Sequence, residues 1–471
     1  MKTAPLIWAD ELAAPLAWSQ GQPISRRQYL ADVRALALRL PPRGAMLNLA
    51  ANRYHFAVGL GAALVRGQHN LLPPNHTADM LTRLRDGFEN TYCMRDRGHL
   101  ESVGELPVPS VLYAEQHAPL PPGTTDNLPQ IPLDALAAQV LTSGSTGTPV
   151  PHSKQWGLLH QNIHAEAREL ARAMGRLDLI GVNLVATVPA QHMYGFESTV
   201  LVALLAGAAF DADRPFYPAD IAAALQRMPR PCMLVTTPFH LKMLLESGVS
   251  VPTIDLVVCA TAPLSPQLAA RAEAAFGAPL LEIYGCTEAG QVATRRTTAG
   301  AQWRTFEGLQ ISGDGDGASV SGGHVAQATP LADVLDVLDA RTFRLLGRAN
   351  DLINMAGKRS SLGHLNYHLN SIIGVQDGAF FIPTHSGDED PEAVVRPIAF
   401  VVAPGLPAQQ LQANIIQALR ERIDAAFLPR RVIAVDRLPR EPSTGKLPAA
   451  QFAQWALQVL AQRKASPTAT I

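Results

Sequence analysis

The stretch Leu141-Thr142-Ser143-Gly144-Ser145-Thr146-Gly147-Thr148-Pro149-Val150-Pro151-His152-Ser153-Lys154 decides how the chain is read. It follows Gln139-Val140-Leu141, which reads as a short strand. Two glycines let the backbone turn where a Cβ would clash. The hydroxyls and main-chain N–H groups between them can surround a phosphate from several sides. The same composition also suits a solvent-exposed linker. No G-x-x-x-x-G-K-[ST] spacing fits, and Lys154 lies well beyond Gly147, so this is not the lysine-bearing phosphate loop of the nucleoside triphosphatases.

The rest of the chain narrows the class. At 471 residues it is too long for one core. Hydrophobic residues make up 47 % and charged residues 17 %, with a net charge of −1, so no global basic field points to nucleic acid. Cys93, Cys232, Cys259 and Cys286 are far apart and show no metal-binding spacing. Asp10 and Glu11 break the apolar start, and no apolar run reaches membrane-spanning length. These features predict a cytoplasmic protein with no membrane span.

Helix and strand patterns alternate, which predicts α/β layers. Helices are expected over 25–40, with Ser25 as cap, and over 54–65, 156–174, 197–205 and 411–423. Apolar strands are expected over 45–49, 184–188, 232–236, 254–260 and 280–284, as in a parallel sheet covered by helices. Shorter strands are expected at 343–346, 378–383, 398–403 and 432–435, and a surface connection over 118–132. Residues 312–323, rich in Gly, Ser and Asp, read as a loop. The strand over 280–284 delivers Tyr284-Gly285-Cys286-Thr287-Glu288 to the carboxyl edge of the sheet, where α/β proteins bind ligands. There Tyr284 can stack on a flat ring, Thr287 can donate to a phosphate, and Glu288 can hold Mg²⁺. A tight turn with a surface glutamate is the plainer reading of the same residues. Cys286 reads as a structural thiol. His192 begins a loop and either faces a ligand or bonds nearby backbone. Lys446 stands in an exposed Pro/Gly loop.

Four stretches, in order and at matching separations, carry a resemblance over nearly the whole chain. They are TSGSTGTP at 142–149, YGCTE at 284–288, Asp333 with GRANDLINMAGKR at 347–359, and PSTGK at 442–446. Together they resemble the adenylate-forming superfamily of acyl-CoA synthetases, aryl-CoA ligases and carrier-protein-loading adenylation enzymes. The resemblance implies a large N-terminal domain of layered sheets and helices, 1–347, a hinge at 348–352, and a small mobile α+β lid, 353–471. It implies ATP and Mg²⁺ as cofactors. Thr142, Ser143, Gly144, Ser145, Thr146 and Gly147 would handle the phosphates. Tyr284 and Gly285 would hold adenine, Asp333 with Arg348 the ribose, and Thr287 the α-phosphate. Glu288 would be the metal carboxylate, Asn350 the hinge, and Lys446 the lysine that bridges carboxylate and α-phosphate.

The acid pocket would be lined by His192, Tyr194, Phe239, Cys259 and Thr261, alongside His240 and Ala260. Ring contacts with a few polar tips suit a hydroxybenzoate-like aryl acid, with medium-chain fatty acids as the alternative. The implied product is a phosphopantetheine thioester. The expected acceptor is an acyl carrier protein, as in pigment or secondary-metabolite pathways, with free coenzyme A as the alternative. A monomer or homodimer is expected. A non-catalytic, adenylation-like scaffold is the reading from a different class. It is motivated by departures: Val150-Pro151 replaces the usual Lys-Gly pair, and Asn354 stands where a lysine is common.

Overall fold

The computed structural model describes residues 2–99, 106–114, 116–119, 127–143, 149–348, 352–355, 358–383, 397–441 and 447–465. Gly144 to Thr148, Asn350 and Lys446 therefore lie outside the described residues.

Two sheets form the large N-terminal part. In the larger, Pro15–Ser19, Ala209–Asp211, Asn183–Ala186, Cys232–Thr236, Leu256–Cys259 and Leu280–Cys286 run parallel, side by side. Four of these are the apolar runs expected to be buried, and burial on both faces explains why they do not alternate with polar residues. Beyond Leu280–Cys286 the direction reverses. Gly290–Arg295, Gln302–Thr305, Thr342–Arg348 and Asp333–Asp339 continue the sheet as antiparallel strands. A second sheet places Ala45–Asn48, His69–Leu72, Tyr92–Arg95, Ser110–Leu112 and Leu136–Ser143 in parallel. Pro149–Gln155 closes its edge, antiparallel to Leu136–Ser143.

Local chemistry sets the helices that cover these sheets. Ser25 accepts from the Gln28 amide at 3.1 Å and starts Arg26–Ala37, as expected. Arg53–Val65 ends before Gly67, which adopts φ +67°. Two buried arginines hold the layers together. Arg53 donates to the carbonyls of Asp211, Asp213, Ala186 and Val188 at 2.8–3.1 Å, tying its helix to the carboxyl ends of two strands. Arg26 donates to the carbonyls of Ala203 and Ala208 and lies over the Trp8 ring.

The structure corrects several sequence expectations. Residues 312–323 are not a loop, because Leu309–Ser312 and Ser319–Gly322 pair as a hairpin joined by Val325–Pro330. Its Gly/Asp content belongs to the turn, where Gly313 and Gly315 adopt positive φ. The expected helix 197–205 begins as a π-helical segment, Phe196–Leu201, before Val202–Ala206 becomes α-helical. The helix expected over 411–423 is Ala408–Arg420. The end of the expected connection 118–132 is a short strand, Gln130–Pro132, paired with Thr3–Pro5.

The C-terminal part has its own core. The hairpin Leu352–Met355 and Lys358–Ser361 leads into helix Leu362–Asn370. Three strands follow, Asp377–Phe381, Ile398–Val402 and Arg431–Ala434, packed by Ala408–Arg420 and Ala449–Ala465. It touches the large part directly: Lys242 donates to the Gln376 carbonyl at 2.5 Å, and Gln267 to that of Ser371. Gly347 packs against Ser361, whose hydroxyl caps the helix at His364, leaving no room for a Cβ. The architecture is thus a large mixed-sheet domain with a smaller α+β domain. No helix among the described residues is long and apolar enough to cross a membrane.

Candidate active site

The reversal from parallel to antiparallel strands makes the site. Leu280–Cys286 and Gly290–Arg295 are joined by the turn Thr287-Glu288-Ala289, so the YGCTE residues form a hairpin end rather than an open loop. The register slips between Tyr284 and Gly285. A Cβ at Gly285 would meet the Gly290 carbonyl at 2.4 Å, so the bulge admits only glycine.

This hairpin gathers residues from three other segments. The Tyr284 hydroxyl donates to Asp333 Oδ2 at 2.8 Å, joining two residues that sequence reading placed on adenine and ribose. The Tyr284 ring packs edge-on to Phe343 and beside Trp303, and Arg295 covers the other ring. Asp333 pairs in register with Arg348, whose side chain is outside the described residues. Across the cleft, His152 Nε2 lies 3.0 Å from Thr142 Oγ1 and 4.0 Å from Glu288 Oε1. The first phosphate-loop hydroxyl bonds this imidazole, which stands 4.0 Å from the expected metal carboxylate, beyond hydrogen-bond reach. Burial lowers the His152 pKa, Glu288 opposes that shift, and Lys154 adds to it. Thr287 is at the head of the turn, and the Glu288 side chain is half exposed. Ser143 ends its strand at the edge of the described residues.

The expected acid-pocket residues sit at the carboxyl ends of neighbouring strands. His192 is exposed and stands just before the short turn Met193–Gly195, making no side-chain capping bond to it. The Tyr194 hydroxyl donates to the Val258 carbonyl at 3.0 Å, so this phenol is already committed. Phe239 is half-buried beside His240, which bonds Thr237 and meets Phe216 edge-on. Cys259 is fully buried in the core with Val257 and Leu264, and burial raises its thiol pKa. Thr261 is exposed at φ +81°, a strained conformation for a β-branched residue. The positive φ of Thr261 and the π-helical turn at 196–201 both border this region, and neither leaves a pattern in the sequence.

Sequence reading missed a buried polar cluster behind the hairpin. Lys154 donates to the Thr287 carbonyl at 2.6 Å, with the Glu288 carbonyl at 3.4 Å. Asn162 donates to Glu197 Oε1 at 2.6 Å, and Gln291 to Ser198 at 2.8 Å. Burial pushes Glu197 up to about 8, with Lys154 opposing, and Glu166 up to about 7. Ser198 and Gln291 lie close enough to temper the Glu166 shift, but neither makes a well-formed hydrogen bond to it. The signal was present in the alternation of Val150, His152 and Lys154, had 149–155 been read as a strand. Elsewhere, an open cleft of about 570 Å³ is lined by Arg296, Arg304, Arg341 and Asp339.

These groups predict a stability maximum near neutrality. Burial lowers His76, His160, His240, His324 and His368 from 6.5 to about 4. Between pH 4 and 6.5 the unfolded chain takes up protons on these five that the folded chain refuses. Glu166 and Glu197 act oppositely, keeping protons in the folded chain above their ordinary value of 4.5. Five imidazoles outweigh two carboxylates, so stability rises with pH across that window. Above 6.5 the two carboxylates lower stability as they ionise toward pH 8, and Lys154, lowered by burial, opposes them in part. Melting temperature measured against pH should pass through a maximum near 6.5. A monotonic rise from pH 5 to about 8.5 would contradict this assignment.

At the sheet reversal Tyr284 is bonded to Asp333, and a separate small α+β domain follows in the chain. Residues 55–346 match the family of AMP-binding enzymes, and residues 385–446 match the AMP-binding enzyme C-terminal domain. The chain belongs to the AMP-binding enzyme family, whose members use ATP to activate a carboxylic acid as an acyl-adenylate. It is 31 % identical over 296 residues to the 4-coumarate–CoA ligase of Halorhodospira halophila, covering 58 % of this chain and 70 % of that protein. It is 32 % identical over 286 residues to the 4-coumarate–CoA ligase of Rhodobacter capsulatus, covering 61 % and 67 %. Among solved structures it resembles the anthranilate CoA ligase AuaEII in complex with anthranoyl-AMP, at TM-score 0.73 and 15 % identity, covering 97 % and 98 % of the two chains. It also resembles ATP-bound MatB from Rhodopseudomonas palustris, at TM-score 0.72 and 18 % identity, covering 95 % and 97 %.

Proposed function

We propose that this enzyme activates a small aryl carboxylic acid with MgATP and passes the acyl group to the thiol of free coenzyme A. One observation carries the nucleotide half: the Tyr284–Asp333 hydrogen bond fixes an aromatic ring and a carboxylate side by side at the hairpin. An adenine against the ring puts the ribose hydroxyls over the carboxylate, and the phosphates then extend toward Thr287 and the loop at Thr142. Glu288, half exposed and facing His152, is the hard oxygen ligand that suits Mg²⁺, which would neutralise phosphate charge.

The substrate carboxylate attacks the α-phosphorus of ATP, and pyrophosphate leaves. Lys446 neutralises charge gathering between carboxylate and α-phosphate. The 353–471 domain then turns about the 348–352 hinge, carrying Lys446 away, and the thiol displaces AMP from the acyl-adenylate. Half-buried Phe239 and the rings around His240 favour a flat acid. The two 4-coumarate–CoA ligase relatives support an aryl acid, and they support coenzyme A over the carrier protein that the sequence reading favoured. The acceptor is tested by kcat/KM for one acyl-adenylate with coenzyme A and with phosphopantetheinylated carrier proteins, at low and high salt. Preference for coenzyme A at both salts is expected. A carrier-protein rate that exceeds it and falls with salt would reverse the assignment.

A further inference from the structure

We propose that Lys154 is a positioning residue of the nucleotide site, holding the Thr287–Glu288 turn from beneath through its main-chain carbonyls; this rests on the nucleotide reading above. The family's usual first-loop cation is absent here, because Val150 and Pro151 occupy its place. In the strand Pro149–Gln155 alternate side chains share a face, so Val150, His152 and Lys154 line up. Val150 is exposed near the loop, His152 reaches Thr142 and Glu288, and Lys154 passes under the turn. The chain thus carries a cation four residues later, turned inward rather than toward solvent.

Geometry ties that cation to the turn. Its ammonium has three donors, one spent at 2.6 Å on the Thr287 carbonyl and another directed to Glu288 at 3.4 Å. Carbonyls drawn inward leave the Thr287 and Glu288 side chains on the cleft side. The other end of the turn packs closely against Glu197 and Asn162. Gly290, at φ +79°, comes so close to Glu197 and Asn162 that a Cβ would meet them at 3.2 and 3.4 Å. Glu197 is fully buried, fixed by Asn162, and is the strongest opposite charge acting on Lys154. One end of the hairpin turn is therefore bonded to Lys154, and the other packs against Glu197 and Asn162 of the same buried cluster. A lysine serving only to fill the core would need no carbonyl at the ligand-facing turn, and an apolar side chain would do as well.

Three full-length variants test this: Lys154→Met with Glu197→Gln, which removes both charges together, Lys154→Gln, which keeps two donors, and Lys154→Arg, which keeps the charge. Two readouts are used. MgATP binding by calorimetry and acid-dependent ATP–pyrophosphate exchange report the site. The alkylation rate of Cys286 reports the turn itself, since Cys93, Cys232 and Cys259 are buried. The paired variant should raise KM for MgATP and lower exchange kcat/KM about 10- to 100-fold, the cost of losing charged hydrogen bonds. It should alkylate faster at Cys286. Lys154→Arg should recover most of the exchange. Parental exchange and alkylation in the paired variant would overturn the proposal. Failure of all three to fold at assay temperature would also overturn it, by making the cation a requirement of the fold. If the parent binds no MgATP, the nucleotide reading falls and the positioning claim with it. Parental MgATP binding left unchanged in folded variants overturns the Lys154 claim alone.

Discussion

Replacing Asp333 by alanine is expected to lower kcat/KM for MgATP by about 100-fold or more, mainly through KM, because two charge-assisted hydrogen bonds to the ribose are lost. The same change removes the Asp333 end of a 2.8 Å hydrogen bond made by the buried Tyr284 side chain. A lost hydrogen bond costs about 0.5–1.5 kcal/mol, so the melting temperature should fall slightly as well. Tyr284→Phe separates the two effects. It keeps the ring proposed to meet adenine and removes its hydroxyl's bond to Asp333. Its kcat/KM should fall less than about 10-fold. Calorimetric MgATP binding and steady-state exchange on both variants check this. An Asp333→Ala enzyme with parental KM for ATP would remove the ribose assignment.

Replacing Lys446 by alanine is expected to lower adenylation by about 1,000-fold, while thioester formation from supplied acyl-adenylate stays within a few-fold of the parent. The division follows from where charge develops. Negative charge accumulates between the attacking carboxylate and the α-phosphate only in the first half-reaction, so a compact ammonium there lowers that barrier. The second step breaks an acyl–phosphate bond after the small domain has turned, and no longer draws on this lysine. Rapid-quench measurement of each half-reaction separates them. Equal loss of both would show that Lys446 acts on domain folding rather than on the adenylation transition state.

What was legible in the sequence was local chemistry. YGCTE and the Ser/Thr/Gly loop could be picked out because hydroxyls, a carboxylate and glycines stand at short spacing in one stretch, whereas Asp333 was marked only by the family resemblance. The buried strands at 183–186, 232–236, 256–259 and 280–286 were legible because parallel strands covered on both faces must be apolar. Strand 149–155 was not, since Pro149 and Pro151 argue against a strand and its polar face turns inward only once the YGCTE hairpin lies against it. The Tyr284–Asp333 bond spans 49 residues and depends on four intervening antiparallel pairings. Arg53 reads as an ordinary helix-start arginine, yet four carbonyls of a distant sheet hold it. Glu166 and Glu197 look like helix-surface acids, and only packing makes them interior. Each omission is a long-range juxtaposition, which residue spacing does not encode.

The central claim is that this chain forms an aryl-adenylate from MgATP. The most direct measurement is ATP–pyrophosphate exchange, with radiolabelled pyrophosphate, across benzoates, hydroxybenzoates, cinnamates and medium-chain alkanoates. Exchange should depend on the acid, require Mg²⁺, and be fastest with an aryl member of the panel. Exchange stimulated by alkanoates alone, or by no acid while MgATP still binds, would contradict it.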